Sequence, residues 1–176
     1  MADDLEIELV ASAVSGDLDS FGQLARRYYS AVKAIGYSVL YDHQLAEDAA
    51  QETFARALVR LDKLKNAGKF GPWLAAICRN VAKDMVAGKA RQIERQTQVP
   101  ELNDCDEYNR MIHRAIEQLP AGEKELIVLR YYDGLSYQQI GSVLGISKAA
   151  INGRLTRAKR KMKKHLMRNG FPENQL

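Results

Sequence analysis

The chain has 176 residues, 46% hydrophobic, 27% charged and 7% aromatic, with 26 Lys and Arg against 22 Asp and Glu. That composition, with only 4 Pro and 12 Gly, excludes a collagen-like or generally disordered chain, and no apolar run nears the roughly 20 residues that cross a bilayer. Cys78 and Cys105 cannot build a disulfide framework, and neither falls at metal-ligand spacing with His43, His113 or His165. No metal or cofactor is expected, and the acidic start MADDLEIELV is unlike a secretory signal, which points to a cytoplasmic protein.

Apolar residues recur at helical spacing throughout, and no alternating strand pattern stands out, so the fold expected is all-α. A short helix over 4 to 14 precedes a second that begins near Asp19, with Phe21, Leu24, Tyr28, Val32 and Ile35 on one stripe. Asp42 is the expected N-cap of a third, whose stripe is Leu45, Ala49 or Ala50, Phe54, Ala57, Leu58 and Leu61. Gly71 and Pro72 read as N-cap and first residue of a fourth, with Trp73, Leu74, Ile77, Val81 and Met85 facing inward and Gly88 as its stop. From Arg91 to Glu107 the rhythm fails, Pro100 intervenes and acids outnumber basic residues, which reads as a linker. Helical spacing resumes through Met111, Ile112, Ala115, Ile116 and Leu119 to Pro120. The organisation expected is two small helical domains, 1–90 and 108–176, joined by a flexible acidic linker, 91–107.

The second half carries the strongest local pattern. A helix through Leu126, Ile127, Leu129 and Arg130 stops at Asp133-Gly134, and Ser136 with Gln139 forms a capping box for a short helix ending at Gly145. Ser147 then caps a long helix with Ile151, Leu155, Ala158, Met162 and Leu166 inward, and the whole is a helix-turn-helix. Between 147 and 168 the chain carries nine basic residues and no acid, a distribution suited to a polyanion. Lys148, Ala149, Asn152, Gly153, Thr156, Arg157 and Arg160 lie on or beside the outward face near its start, where a recognition helix meets base edges and phosphates. Asn152, Thr156 and Arg157 have the chemistry to read bases, whereas Gly153 costs about 1 kcal/mol in a helix interior.

In the first half, Asp48, Gln51, Glu52 and Phe54 fit D-x-x-Q-E-x-F, and Phe70, Trp73, Leu74, Ile77, Arg79, Asn80 and Asp84 fit F-x-x-W-L-x-x-I-x-R-N-x-x-x-D. With the segment LPAGEKELIVLRYYDGLSYQQIGSVLGIS and the basic helix after it, this ordered set resembles the extracytoplasmic-function (ECF) class of bacterial sigma factors across about residues 15 to 166. The resemblance implies a protein that binds core RNA polymerase and promoter DNA and catalyses no reaction itself, with no small-molecule substrate and no membrane insertion. It places core polymerase on Asp48, Gln51 and Glu52, which share one helical face. It places the melted minus-10 strand near Lys65, Lys69, Arg79, Asn80, Lys83 and Arg91, where cations suit single-stranded phosphates, and it gives the helix-turn-helix the minus-35 element. It implies that the linker threads the polymerase channel, and it admits an anti-sigma factor as a further partner. Ala149, Ala150, Asn152 and Gly153 depart from the residues common in the family, which bears on promoter sequence. The competing readings are a helix-turn-helix repressor or activator acting without polymerase, and a sigma antagonist or adaptor.

Overall fold

The computed structural model describes residues 2–93 and 107–172, and no strand occurs among the described residues. The first half holds α1 (Ala2–Val14), α2 (Leu18–Leu40), α3 (His43–Val59), two short 3-10 turns and α4 (Phe70–Ile93). The second holds α5 (Glu107–Glu117), α6 (Ala121–Ile127), α7 (Tyr137–Leu144) and α8 (Lys148–Arg168). Asp17 caps α2, accepting from the Asp19 amide at 3.1 Å, and the Ser20 hydroxyl holds its carboxyl below the usual value. Asp42 caps α3 as expected, accepting from the Leu45 amide at 3.0 Å. Tyr41, in left-handed conformation at φ 52°, makes the corner between α2 and α3.

The α2 stripe is buried as its periodicity predicts, and the α3 stripe is rotated from its expected place. Ala46, Ala49, Ala50, Thr53 and Ala57 face inward, while Leu58 is 41% exposed and Leu45 and Phe54 are half-buried. The reason is close approach: a Cβ on Gly36 of α2 would lie 3.4 Å from the Ala46 carbonyl oxygen, so the seam admits only small side chains. Phe54 instead stacks on Tyr29, ring centroids 6.4 Å apart. In α4, Phe70, Leu74, Ile77 and Val81 are buried, with Trp73 packed partly buried beside Phe70. The helix starts one residue before the expected Gly71 cap, and Pro72 sits in the first turn, where an amide has no helical partner to lose. Gly88 does not end α4: its φ is not positive, and the helix runs on to Ile93.

In the second half, the expected helix through Arg130 is α-helical only to Ile127 and continues as a π-helical turn over Val128–Tyr132, with the Asp133 amide donating to the Val128 carbonyl at 3.2 Å. Gly134, at φ +66°, and the Arg130 guanidinium, donating to the Leu135 carbonyl at 2.9 Å, close the turn. The capping box is present in both directions, Gln139 amide to Ser136 Oγ at 3.2 Å and Ser136 amide to Gln139 Oε1 at 2.8 Å. Gly145 ends α7 at φ 67°, and Ser147 caps α8 through the Ala150 amide.

The two halves pack face to face. One buried cluster runs from Val10 through Leu74 to Leu126, Ile140 and Ala158. At the seam between α4 and α7, a Cβ on Gly71 would fall 2.4 Å from the Ser142 carbonyl oxygen, and one on Gly145 would fall 2.8 Å from the Pro72 ring. Residues 94–106, which include most of the expected acidic linker, lie outside the described residues.

Candidate nucleic-acid interface and docking face

The capped pair α7 and α8 forms the expected helix-turn-helix, and its burial pattern sets the outward face. Ile151, Leu155 and Ala158 are 0 to 2% exposed, so the positions between them are turned to solvent. Lys148, Ala149, Asn152, Thr156, Arg157 and Arg160 are all exposed, and Gly153 is half-buried with open space where its Cβ would be. The Thr156 hydroxyl donates to the Asn152 carbonyl at 2.9 Å, which leaves its oxygen free to accept from a base. Lys161 and Lys159 are drawn toward the body of the domain. Lys161 Nζ pairs with Glu123 at 2.9 Å, and Lys159 Nζ lies 4.9 Å from the Tyr131 ring centroid. The cations left pointing outward are therefore those nearer the start of α8, with Lys163 and Lys164 beyond them.

On the opposite lobe, Asp48 and Gln51 are exposed and Glu52 is half-buried on one face of α3. They line a groove of about 590 Å³ between α3 and α4, with Val81, Met85 and Asp84 as its far wall. Arg56 spans the groove, its Nε 2.6 Å from Glu52 Oε1 and its Nη1 3.2 Å from Asp84 Oδ2. The sequence motifs that place Glu52 and Asp84 thus meet through a residue that neither motif contains. Its i, i+4 spacing from Glu52 is the signal that could have found it.

The expected minus-10 residues are divided. Lys65 and Lys69 are exposed in the loop before α4, where the Asn66 side chain accepts from the Gly68 amide at 2.9 Å. Asn80 and Lys83 are exposed on α4, and the side chain of Arg91 lies outside the described residues. Arg79 is committed elsewhere: its Nε and Nη2 donate to the two carboxylate oxygens of Glu125 on α6, at 2.9 and 3.1 Å. Glu125 is 7% exposed, although in sequence it follows Glu123 and Lys124 and precedes the apolar Leu126, Ile127, Val128 and Leu129, so no local pattern signals its pairing with Arg79. Cys78, one residue before, is buried and hydrogen-bonded to the Val32 carbonyl at 3.2 Å, and burial pushes its thiol up to about 11. Among the described residues no His, Cys, Asp and Glu cluster could hold a metal ion, and no helix is long and apolar enough to cross a membrane.

An all-helical fold with a capped helix-turn-helix and an acid-free recognition helix defines a DNA-binding transcription protein. The Sigma-70 region 2 family model matches residues 24–92, and the Sigma-70, region 4 model matches residues 109–162. The chain is 28% identical to the ECF RNA polymerase sigma factor SigW of Bacillus subtilis, over 86% of this chain and 91% of that protein. It is 30% identical to the probable RNA polymerase sigma factor RfaY of Xanthomonas campestris pv. campestris over 88% of this chain, and spans 42% of that protein's length. Among solved structures it is similar to CnrH in complex with the cytosolic domain of CnrY, with a TM-score of 0.61, 26% identity, and coverage of 94% of this chain and 99% of that one. The chain belongs to the sigma-70 family of RNA polymerase sigma factors, in its ECF class. As an alternative sigma factor it serves promoter-specific transcription with RNA polymerase.

Proposed function

We propose that the two halves divide promoter recognition between them. The α3 face, with Asp48, Gln51 and Glu52, docks on core RNA polymerase. The loop and α4 cations Lys65, Lys69, Arg79, Lys83 and Arg91, with Asn80 beside a displaced base, hold the minus-10 strand. The start of α8 reads the minus-35 element, with Asn152, Thr156 and Arg157 toward bases and Lys148 and Arg160 toward phosphates. The assignment makes 1–90 the polymerase-binding and promoter-melting domain, 91–107 the acidic linker and 108–176 the minus-35 domain. The observation that carries it is the outward, exposed row on α8 together with the separate acidic groove on α3, two surfaces of opposite charge on one chain.

In this reading the chain performs no chemical step, nucleotidyl transfer belongs to the polymerase, and the protein works in the cytoplasm. An anti-sigma factor is a further partner in this reading; CnrH, to which the chain is similar, was solved with the cytosolic domain of CnrY. Purified core polymerase reconstituted with this chain, followed by transcript mapping on genomic fragments, tests the proposal. Specific start sites that depend on the chain are expected. Duplex binding by the chain alone, with no initiation from active core, would favour a conventional repressor or activator.

A further inference from the structure

In the first turns of α1 the burial pattern runs against hydrophobicity. Leu5 and Ile7 are 54% and 43% exposed, while Glu6 between them is only 8% exposed. Glu6, Val10 and Ala13 stand at i, i+4 and i+7 and form the inward stripe. A carboxylate takes such a place only with partners, and Glu6 has two on α2. The Tyr28 hydroxyl donates to Glu6 Oε2 at 2.8 Å, and Arg27 Nη2 lies 3.4 Å from the same oxygen. These polar contacts set the rotation of α1 where apolar burial would have turned Leu5 or Ile7 inward.

Tyr28 carries the contact to the start of α4. Its buried ring meets Phe70 edge-on, centroids 5.4 Å apart, and a Cβ on Gly71 would lie 3.1 Å from its Cε1. Phe70 is also where the loop between α3 and α4 ends. α1 itself packs against both 3-10 turns of that loop, Leu61–Lys63 and Ala67–Lys69. In the second turn the Lys69 amide donates to the Asn66 carbonyl at 2.9 Å, and the side chains of Lys65 and Lys69 stand exposed. The loop that presents these two cations is therefore bounded by α1 along its length and by the contact of Tyr28 with Phe70 at its exit.

We infer that Glu6 and Tyr28 are positioning residues for the strand-binding loop: the Glu6 carboxylate fixes the Tyr28 phenol, which holds the entry to α4 and, with α1, the placement of Lys65 and Lys69. The inference rests on the assignment of those lysines to the minus-10 strand. Its sign is opposite to that of simple electrostatics. Removing an acid near a polyanion site strengthens binding through charge alone. Removing this acid frees the loop and weakens binding.

The test compares the wild-type chain with Glu6→Ala, Glu6→Gln, Tyr28→Phe and the double variant Glu6→Ala with Tyr28→Phe, each shown to be folded by circular dichroism. Hydrogen exchange on the full chain reads the loop directly. Amides of residues 61–70 are expected to exchange faster in Glu6→Ala and Tyr28→Phe, and those of α7 and α8 at the wild-type rate. Strand capture is read with holoenzyme on a promoter fragment found by transcript mapping, its minus-10 segment left unpaired by mismatches. Loss of one single-strand phosphate contact flattens the plot of log affinity against log salt by about 0.7, which is about fivefold in affinity at 0.1 M salt.

Both single variants should show that loss, and the double variant no more than either, because the two residues act as one unit. Glu6→Gln, whose amide oxygen still accepts from Tyr28, should restore most of the affinity. Unchanged exchange in the folded variants overturns the positioning. Faster exchange with equal or tighter strand binding overturns its part in DNA capture. Lys65→Ala and Lys69→Ala test the underlying assignment separately: if neither changes strand affinity or its salt slope, the minus-10 role of the loop fails, whatever the exchange of the Glu6 variants shows.

Discussion

Arg56 of α3 reaches Asp84 of α4 across the groove, Nη1 to Oδ2 at 3.2 Å, while its Nε holds Glu52 at 2.6 Å. The guanidinium ties two helices into one surface and sets the carboxylates at fixed positions along it. Because Arg56 is about one-third exposed and Asp84 two-thirds, this tie contributes at most about 1 kcal/mol to stability. Its importance is geometric.

Glu52→Lys replaces an i, i+4 attraction with a repulsion, worth about 0.5 kcal/mol within α3, and inverts one charge of the docking face. Affinity for core polymerase is expected to fall about tenfold, as for loss of a well-placed interfacial charge. Fluorescence titration with labelled core measures it. Binding of a minus-35 duplex by the same variant should be unchanged, and an equal loss of both would contradict the division of labour.

On α8, Asn152 and Lys163 are both exposed and should behave differently. Asn152→Ala removes an amide able to pair with a base edge, so it should change preference among minus-35 sequences by about 1 to 3 kcal/mol at one position. Lys163→Ala should weaken binding evenly across sequences and flatten the plot of log affinity against log salt by about 0.9. A systematic panel of duplexes titrated at several salt concentrations separates the two.

Cys78 is fully buried, and its thiol is pushed up to about 11 by burial, so at pH 8 it is almost entirely protonated in the folded chain. In a Cys105→Ser background, iodoacetamide labelling at pH 8 should be at least about a hundredfold slower in buffer than in urea. Mass spectrometry over time gives the two rates, and comparable rates would contradict the burial.

Asp133, half-buried at the end of the π-helical turn, has its carboxyl raised above the usual aspartate value by burial, which outweighs the lowering by Lys33 and His43. An acid raised in the folded state favours folding while protonated, and that contribution is lost as pH rises through the folded value. At pH 7 the charged Asp133 is therefore a net cost. Asp133→Asn is expected to raise the melting temperature at pH 7 by about 1 to 3 °C, with the gain disappearing as pH falls below the usual aspartate value. Differential scanning calorimetry across that range checks the sign.

The helix-turn-helix was legible because its signals are local. Ser136, Gln139, Gly145 and Ser147 act on backbone groups within four residues of themselves, and each does what its position predicts. The α3 stripe was not, since nothing in α3 itself reveals that Gly36, ten positions before Ala46, demands small side chains opposite it. Gly88 misled because a glycine ends a helix only where the chain turns left-handed, and there the chain keeps turning as a helix. The motifs located Arg79 on α4, while its partner came from a helix in the other half. Long-range pairing of that kind leaves no local trace in sequence, since Glu125 stands beside Glu123 and Lys124 like any acid on a helix surface.

The recognition helix is a single rod of 21 residues, about 31 Å long. Its first turns face outward with Asn152 and Thr156, while Leu166 near its far end packs with Ala115 of α5 and with Phe171. Under the proposed minus-35 role of α8, a tilt imposed at the Ser147 end would be carried along this one rod to α5, because its far end is packed there.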